Sequence, residues 1–273
     1  MPTANVNGIG LFYELSGTGD VPLVLVHGSW DSARTWGLVL PDLADSFRVL
    51  TYDRRGHSQS EHPAGQGSIH EDVADLAALI EHLDLEPAWV AGHSFGASIA
   101  LRLAAEHSEL LRGVIAHEPP LFALLADDPS LAPMLEEVGG AVGAVVDRIA
   151  SGDHAGAAEQ FVETVALGPG AWAHLPAESR QTLIENAPTF LDEAHDPEQL
   201  AFDLERIVPF SRPVLLTTGE QSPPAFAPVA ARIADALPGA AVHTFPNAGH
   251  IPHLTHPDAY VEATVEFMNE HPM

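Results

Sequence analysis

The sequence predicts an α/β fold: a mostly parallel, eight-stranded sheet with helices on both faces and an inserted helical cap. Short apolar runs alternate with amphipathic stretches through residues 1–120, as expected for parallel strands joined by helices. Residues 121–209 carry helical patterns without a strand signal, and the alternation resumes in residues 210–273. We therefore assign 1–120 and 210–273 to a core domain and 121–209 to a cap inserted into it.

The strands of the first half are predicted from short apolar runs, which are typical of parallel strands covered on both faces. After an edge strand at 9–15, they fall at residues 23–26, 47–52, 89–92 and 114–116. Helices are predicted at 36–43, with a kink at Pro41, at 72–83 and at 95–107. In the second of these helices, Val73, Leu76 and Ile80 share one face, which indicates packing on the sheet.

The cap is predicted to consist of helices separated by glycine and proline breaks. They cover residues 134–149, 154–165, 178–186 and 197–207. The returning core then contains strands at 214–218 and 241–245 and helices at 228–237 and 258–269. A helical block inserted before the last strands indicates a lid over the edge of the sheet.

The composition excludes several classes of partner and site. The formal net charge is −27, with 38 acidic residues against 11 basic ones, so the surface repels nucleic acid and anionic membranes. The absence of cysteine excludes a cysteine nucleophile, disulfides and thiolate metal sites. No apolar run approaches the roughly 18 residues of a membrane span, and residues 1–5 lack a signal-peptide pattern. We expect a cytoplasmic protein with a small-molecule substrate; the oligomeric state stays open.

The motif with the clearest chemistry is Gly92-His93-Ser94-Phe95-Gly96. It lies between a predicted strand and a predicted helix, the context in which G-x-S-x-G forms a sharp turn that exposes the serine hydroxyl. The helix that follows directs its free N–H groups at the reaction centre. Ser94 is therefore the predicted nucleophile.

A serine hydroxyl needs a base to take its proton. His250 is the candidate among 16 histidines because it lies in the loop between the last strand and the last helix. His253 and His256 follow at intervals of three and suggest metal ligation. With His250 assigned to catalysis no convincing ligand set is left, so we predict neither a metal nor a cofactor.

The oxyanion of an acyl-transfer reaction requires two backbone N–H donors. The first is assigned to Phe95, which follows the nucleophile, and the second to Ser29 in the loop after an early strand. In that loop, His27 and Gly28 are expected to shape the backbone.

Together these segments resemble the α/β-hydrolase superfamily over nearly the whole chain. The matching segments are the His27-Gly28 loop, Asp53-Arg54-Arg55-Gly56-His57-Ser58, the turn at Ser94, the helical cap and Gly249-His250. The resemblance implies the α/β-hydrolase fold and a serine–histidine pair, and it leaves the substrate open.

The acid of the triad departs from the commonest pattern of this superfamily. Most members place it in a segment resembling Gly-x-x-Asp-Pro, which here reads Gly219-Glu220-Gln221-Ser222-Pro223, with serine where aspartate is expected. Glu118 directly follows the strand after the nucleophile helix, an arrangement that resembles haloalkane dehalogenases and fungal zearalenone-lactone hydrolases. We predict Glu118 as the acid that orients and stabilises the imidazolium, with Glu220 or another acid as the alternative.

The predicted function is hydrolysis of a small, uncharged and apolar carboxylic ester or lactone through an acyl-enzyme on Ser94. A serine nucleophile argues against dehalogenase and epoxide hydrolase chemistry. Carbon–carbon bond hydrolysis, perhydrolysis, cofactor-free oxygen chemistry and ligand sensing with little turnover share the scaffold and stay open. Trp30, His93 and Trp172 are the candidate substrate contacts, although a place in the core suits Trp30 equally well.

Overall fold

The computed structural model describes residues 2–272, whose strands form one eight-stranded sheet. The strands are β1 Thr3–Val6, β2 Ile9–Ser16, β3 Pro22–Val26, β4 Arg48–Tyr52, β5 Ala88–His93, β6 Leu111–His117, β7 Val214–Gly219 and β8 Ala241–Phe245. They lie in the order β1-β2-β4-β3-β5-β6-β7-β8. The pairs β1–β2 and β2–β4 are antiparallel, and all other neighbours are parallel. The predicted fold class and its mostly parallel sheet are confirmed.

Helices accompany the sheet on both faces and fill the segment between β6 and β7. In the first half they are α1 Leu40–Ala44, α2 Ile69–His82 and α3 Phe95–Glu106. Between β6 and β7 they are α4 Ala132–Ala150, α5 His154–Phe161, α6 Ala171–His174, α7 Ala177–Asn186, α8 Thr189–His195 and α9 Leu204–Ile207. After β7 follow α10 Phe226–Ala236, α11 Pro252–Thr255 and α12 Pro257–Glu270. Within residues 2–272, no helix has both the length and the apolar character needed to cross a membrane.

Short helical turns of other types complete the chain. Helices of the 3-10 type lie at Ala33–Leu38, Ser108–Leu110 and Phe122–Leu125. One π-helical turn, Val162–Ala166, continues directly from α5. The helix predicted for 154–165 therefore changes its winding after Phe161, and π-helical turns of this kind are frequent at functional sites.

The central strand β3 shows how the sheet is covered on both faces. All five of its residues are buried, and alternate side chains of a strand point to opposite faces. Val24 and Val26 belong to the apolar cluster that contains residues of α2 and α3. Leu23 and Leu25 belong to a second cluster, formed with residues of α1 and α12. The run of apolar residues at 23–26 thus reflects burial on two sides.

The helices between β6 and β7 bury an apolar cluster of their own. One residue of the core joins this cluster: Trp30, from the loop after β3, is fully buried. Its ring lies 4.8 Å from that of Phe161 and 5.1 Å from that of Phe190. The two ends of the segment, Phe122–Leu125 and α9, contribute instead to the cluster under α3. The boundaries 121 and 209 of the cap stay a prediction.

The prediction of a helix at 197–207 is wrong over most of its length, because only α9 is helical in that range. The preceding helix, α8, was not predicted. Long-range partners use the backbone of this stretch. Arg102 Nη2 donates to the carbonyl oxygens of Glu198, at 2.7 Å, and Ala201. The Asp196 carboxylate accepts from the N–H groups of Ile69 and Glu198 at 2.7 and 2.9 Å. The two Arg102 contacts satisfy carbonyl groups that a helix would have paired locally.

The strand β1 is absent from the sequence prediction and forms a hairpin with β2. The turn consists of Asn7 and Gly8, with φ values of 46° and 77°. Asn-Gly is the pair that a two-residue hairpin favours, because both positions require positive φ. This dipeptide was the available signal for the first strand.

Candidate active site

Ser94 lies at a strained turn between β5 and α3. Its φ of 54° and ψ of −121° place a residue with a side chain in a region that normally favours glycine. A Cβ atom at Gly92 would lie 2.3 Å from the carbonyl oxygen of Gly96, and one at Gly96 would lie 2.2 Å from that of Val26. The two glycines of the motif therefore let the turn close and let α3 start directly against β3. The turn is held by a hydrogen bond of 2.8 Å from the Ser94 N–H to the His117 carbonyl oxygen.

The strongest polar contact of the site joins Glu118, directly after β6, to His250, in the loop after β8. Glu118 Oε2 lies 2.5 Å from His250 Nδ1, and both residues are buried. The other carboxylate oxygen, Oε1, accepts from the N–H of Gly219 at 2.7 Å. Because a carboxylate only accepts, Nδ1 of the neutral imidazole carries the proton and Nε2 is left as a base.

The charge state of Glu118 follows from its neighbours. Burial raises the pKa of this carboxyl, but the hydrogen bond and the charge of His250, together with His117 and the nearby Ser222 hydroxyl, outweigh burial and lower the pKa below its ordinary value. The side chain is therefore an anion at neutral pH. The alternative acid, Glu220, is exposed and accepts instead from the N–H of Asn247 at 2.8 Å.

Two further histidines hold the backbone of His250. Its carbonyl oxygen lies 2.8 Å from Nε2 of His93 and 3.1 Å from Nε2 of His117. Burial lowers the pKa of His117 to about 4 and that of His93 well below its ordinary value, so both rings are neutral and donate from Nε2–H. The other nitrogen of His117 contacts the Thr217 hydroxyl at 2.9 Å. Sequence reasoning missed His117, although its place directly before Glu118 was visible.

The same three histidines are the set that geometry offers for a metal ion. Ring nitrogens of His93, His117 and His250 lie within 4.8 Å of one another. Both nitrogens of His117 already have partners, however: Nε2 at the His250 carbonyl oxygen and Nδ1 at the Thr217 hydroxyl. Metal binding by all three rings would therefore break at least one hydrogen bond of His117.

The loop after β3 is fixed against the nucleophile. His27 donates from Nδ1 to the Gly28 carbonyl oxygen at 2.8 Å, and its Nε2 accepts from the Arg54 N–H at 2.9 Å. Burial and the charge of Arg54 lower the pKa of His27 to about 3, so the ring stays neutral. A Cβ atom at Gly28 would lie only 3.1 Å from Cβ of Ser94. The backbone of the loop therefore passes directly beside the reactive residue.

Ser29 and Phe95, the predicted oxyanion donors, both lie at this junction. Each lines a cavity together with Ser94. Among residues 2–272, no acceptor takes the backbone N–H of Ser29 or of Phe95. The role of these two N–H groups as oxyanion donors stays a prediction.

A buried ion network connects the loop to α8 of the cap. The Arg54 guanidinium contacts Asp72 of α2 at 3.0 Å and Glu193 of α8 at 2.9 Å. It also donates to the Gly28 carbonyl oxygen at 3.3 Å and lies 4.5 Å above the Phe95 ring. Burial raises the pKa of Glu193 even though the charge of Arg54 opposes this shift. Sequence reasoning did not detect this network, whose members are far apart in the chain.

Two cavities meet at Ser94 and His250. The inner cavity, of about 320 Å³, lies between the core and α4, and its walls are mainly apolar. The outer cavity, of about 410 Å³, lies between the loop after β3 and α7 and includes Asp31, Arg34 and Glu178. The residues common to both are Ser29, Ser94, Phe161, Ala166 and His250. The π-helical turn Val162–Ala166 therefore lies over the nucleophile, where the cavities join.

The candidate substrate contacts are only partly brought to these cavities. His93 lines the outer one. Trp30 packs in the apolar cluster of the helices between β6 and β7, and Trp172 lies at the edge of that cluster. The backbone N–H of Trp172 donates to Glu163 Oε1 at 2.7 Å, and the Arg180 guanidinium lies 5.8 Å from the Trp172 ring. Neither tryptophan is among the residues that line either cavity. Both rings pack in or against the apolar cluster of the helical segment, and substrate contact by Trp30, His93 and Trp172 stays a prediction.

Comparison with known proteins adds a family and a set of similar folds. The model of the alpha/beta hydrolase family matches residues 23–263. An uncharacterized hydrolase of Bacillus subtilis is 37% identical over 127 residues, which cover 45% of this chain and 46% of that protein. A soluble epoxide hydrolase of Corynebacterium is 35% identical over 108 residues, covering 40% of this chain and 37% of that protein. The alignments thus span less than half the length of these curated relatives.

Solved structures match over almost the whole chain. An alpha/beta hydrolase from Sphaerobacter thermophilus has a TM-score of 0.78 at 28% identity and covers 98% of this chain and 100% of its own. An enol-lactonase from Burkholderia xenovorans has a TM-score of 0.80 at 22% identity, with the same coverage of 98% and 100%. These likenesses extend through the helical segment between β6 and β7 as well as the sheet.

Proposed function

Because the chain belongs to the alpha/beta hydrolase family, and so is an enzyme of the hydrolase type, we propose that it cleaves carboxylic esters or lactones through an acyl-enzyme on Ser94. The observation that carries this proposal is the contact of 2.5 Å between Glu118 and His250, in a cavity that also contains Ser94. Nucleophile, base and acid then come from the ends of neighbouring elements at one edge of the sheet.

The first half of the proposed reaction forms the acyl-enzyme. His250 Nε2 takes the proton of the Ser94 hydroxyl as the oxygen attacks the substrate carbonyl. Glu118 keeps the ring oriented through Nδ1–H and stabilises the imidazolium. The N–H groups of Ser29 and Phe95 receive the negative charge on the carbonyl oxygen. When the carbon–oxygen bond of the ester breaks, the imidazolium gives its proton to the leaving alkoxide.

The second half releases the acid. Water enters the position of the alcohol and loses a proton to His250 Nε2 as it attacks the acyl carbon. The second oxyanion meets the same two N–H donors, and its collapse returns the proton to Ser94. With a lactone, the leaving alkoxide stays tethered to the acyl group, so one hydroxy acid is the product.

The cavities support a small, uncharged and largely apolar substrate. The inner cavity has no Asp, Glu, Lys or Arg in its walls. A charged substrate group would lose its hydration there without gaining an ionic partner. An uncharged acyl group would instead bury its apolar surface.

The experiment is a panel of p-nitrophenyl esters, aliphatic lactones and vinylogous diketones, tested with the wild type and with Ser94→Ala. The proposal expects turnover of esters or lactones by the wild type and its complete loss in Ser94→Ala. Turnover restricted to the diketones would assign carbon–carbon bond hydrolysis instead. Ester turnover that survives in Ser94→Ala would remove the nucleophile from the proposal.

A further inference from the structure

The wall of the inner cavity formed by α4 contains one position without a side chain. Leu135, Val138, Gly139 and Val142 line the cavity, at the spacing that places residues on one face of a helix. Three of them present aliphatic side chains. Gly139 presents none, and a Cβ atom built there would meet no other heavy atom within 4 Å.

Neither packing nor turn geometry requires glycine at this position. Gly139 lies inside α4, where glycine disfavours the helix relative to alanine. A glycine that allows a close approach would show a neighbour against a Cβ atom built on it, as Gly96 does, where the Val26 carbonyl oxygen of β3 would lie 2.2 Å away. Gly139 is exposed, so the missing side chain leaves open space at the rim of the cavity.

The two cavities differ in the polarity of their walls, and this difference assigns the acyl and alcohol parts of an ester to different cavities. The polar side chains among the inner walls are those of Ser29, Ser94, Gln199 and His250. The outer cavity carries the ion pair Arg34–Glu178, whose side chains are 63% and 75% exposed. The leaving alcohol must depart while the acyl group is still bonded to Ser94. The outer cavity, with charged side chains in its wall, suits the alcohol, and the apolar inner cavity suits the acyl group.

We propose that the inner cavity is the acyl site and that the missing side chain at Gly139 leaves room for the far end of a long straight acyl chain. This inference rests on the proposed ester hydrolysis and specifies its substrate class: esters of straight, medium-length aliphatic acids. A volume of about 320 Å³ holds about ten groups the size of a water molecule or a methylene, at about 30 Å³ each. Each buried methylene improves binding roughly fourfold, so selectivity rises with chain length until the cavity is full.

The test compares Gly139→Leu with Gly140→Leu on p-nitrophenyl esters from acetate to decanoate. Gly140 is a matched control: it lies on the same helix, a Cβ atom there also meets nothing within 4 Å, and it lines neither cavity. In Gly139→Leu we expect kcat/KM for octanoate and decanoate to fall by more than about tenfold, because the leucine displaces at least two methylenes. The whole chain-length profile of Gly140→Leu should stay at the wild-type level.

Two results of this test would overturn the inference. The first is a dependence of kcat/KM on acyl chain length that is the same in Gly139→Leu and the wild type. The second is an effect of Gly139→Leu seen only in a second series, acetate esters of straight-chain alcohols, because that result would place the alcohol in the inner cavity. Acetate hydrolysis by all three proteins keeps either result separate from a failure of the proposed function.

A binding measurement decides the inference even if no ester is turned over. Ser94→Ala is titrated calorimetrically with decanamide and butanamide, with and without Gly139→Leu. The inference expects the added leucine to weaken decanamide binding by more than about tenfold and to leave butanamide binding unchanged. Equal effects on both amides would contradict it.

Discussion

The contact between Glu118 Oε2 and His250 Nδ1, at 2.5 Å, joins the end of β6 to the loop after β8. The carboxylate also accepts from the Gly219 N–H at the end of β7. One buried anion therefore connects three successive strand ends of the sheet. In the commonest pattern of the superfamily, the acid is instead an aspartate that follows β7. Ser222 occupies that place and lies beside Glu118.

Glu118→Gln should lower kcat by roughly three to four orders of magnitude with little change in KM. The glutamine amide can donate to Nδ1, which would move the imidazole proton to Nε2 and remove the base. The measurement is steady-state kinetics on one ester. Glu220→Gln is the matched control and should stay within about twofold, because the Glu220 side chain is exposed and accepts from the Asn247 backbone N–H. A crippled Glu220→Gln beside an active Glu118→Gln would reverse the assignment of the acid.

Ser94→Gly should stabilise the fold by about 1 kcal/mol while abolishing turnover. The positive φ of 54° costs a residue with a side chain on the order of 1–3 kcal/mol, and glycine avoids most of this cost. Urea unfolding of both variants checks the prediction. Ser94→Ala removes the same hydroxyl but keeps the strain, so it should show no comparable gain. Equal stability of the two variants would mean that the turn stores no strain.

The free energy of unfolding should fall as the pH falls from 7.5 to 5.5. Burial lowers the pKa of five histidines, to about 3 for His27, to about 4 for His117 and well below the ordinary value for His57, His93 and His253. Because the unfolded histidines titrate near 6.5, unfolding takes up protons below that pH. The five neutral histidines contribute their whole stabilisation above pH 6.5, and this contribution decreases as the pH falls from 6.5 to their pKa values in the folded protein.

Carboxyl groups act against this trend. Burial raises the pKa of Asp31 to about 6, so this group gives up a proton on unfolding in the same pH range. Burial also raises the pKa of Asp53, Asp75, Asp192 and Glu193. The five histidines dominate at the upper end of the range, because each titrates from an unfolded pKa near 6.5, and each unbalanced group contributes about 1.4 kcal/mol per pH unit. Urea titrations at pH 7.5, 6.5 and 5.5 measure the slope, which should become shallower in His117→Gln. A stability that is constant or rises towards pH 5.5 would contradict the neutral state of these rings.

Arg54→Met should destabilise the protein by about 3–5 kcal/mol, because it leaves the Asp72 and Glu193 carboxylates buried without their cation. Glu193→Gln should cost less, about 1–3 kcal/mol, since Arg54 keeps Asp72. Chemical denaturation measures both variants. Arg34→Met, which breaks an exposed pair with Glu178 between the core and α7, is the control and should cost less than about 1 kcal/mol. If Arg54→Met lowered the free energy of unfolding no more than Arg34→Met, the buried network would not stabilise the contact between the core and α8.

The parts of the fold that the sequence predicted are those with local signals. The run at 23–26 is apolar because β3 is buried on both faces, and the glycines around Ser94 are needed by the turn itself. Glu118 and His250 could be placed together because parallel strands end at the same edge of a sheet. Each of these inferences needed only a short segment and the topology.

The parts that escaped prediction depend on contacts between distant segments. Glu193 and Arg54 are 139 positions apart, and no local pattern marks their pairing. The helix expected at 197–207 fails because Arg102 uses its carbonyl groups. In both cases tertiary contacts decide what the local sequence pattern cannot show.

The most direct measurement of the central claim is intact-protein mass spectrometry on samples quenched during the first turnovers of p-nitrophenyl butyrate. The account predicts a species heavier than the free enzyme by one butyryl group, located by digestion to the peptide that contains Ser94 and absent from Ser94→Ala. A wild-type enzyme that hydrolyses the ester without any covalent adduct at Ser94, or with an adduct on another residue, would contradict it.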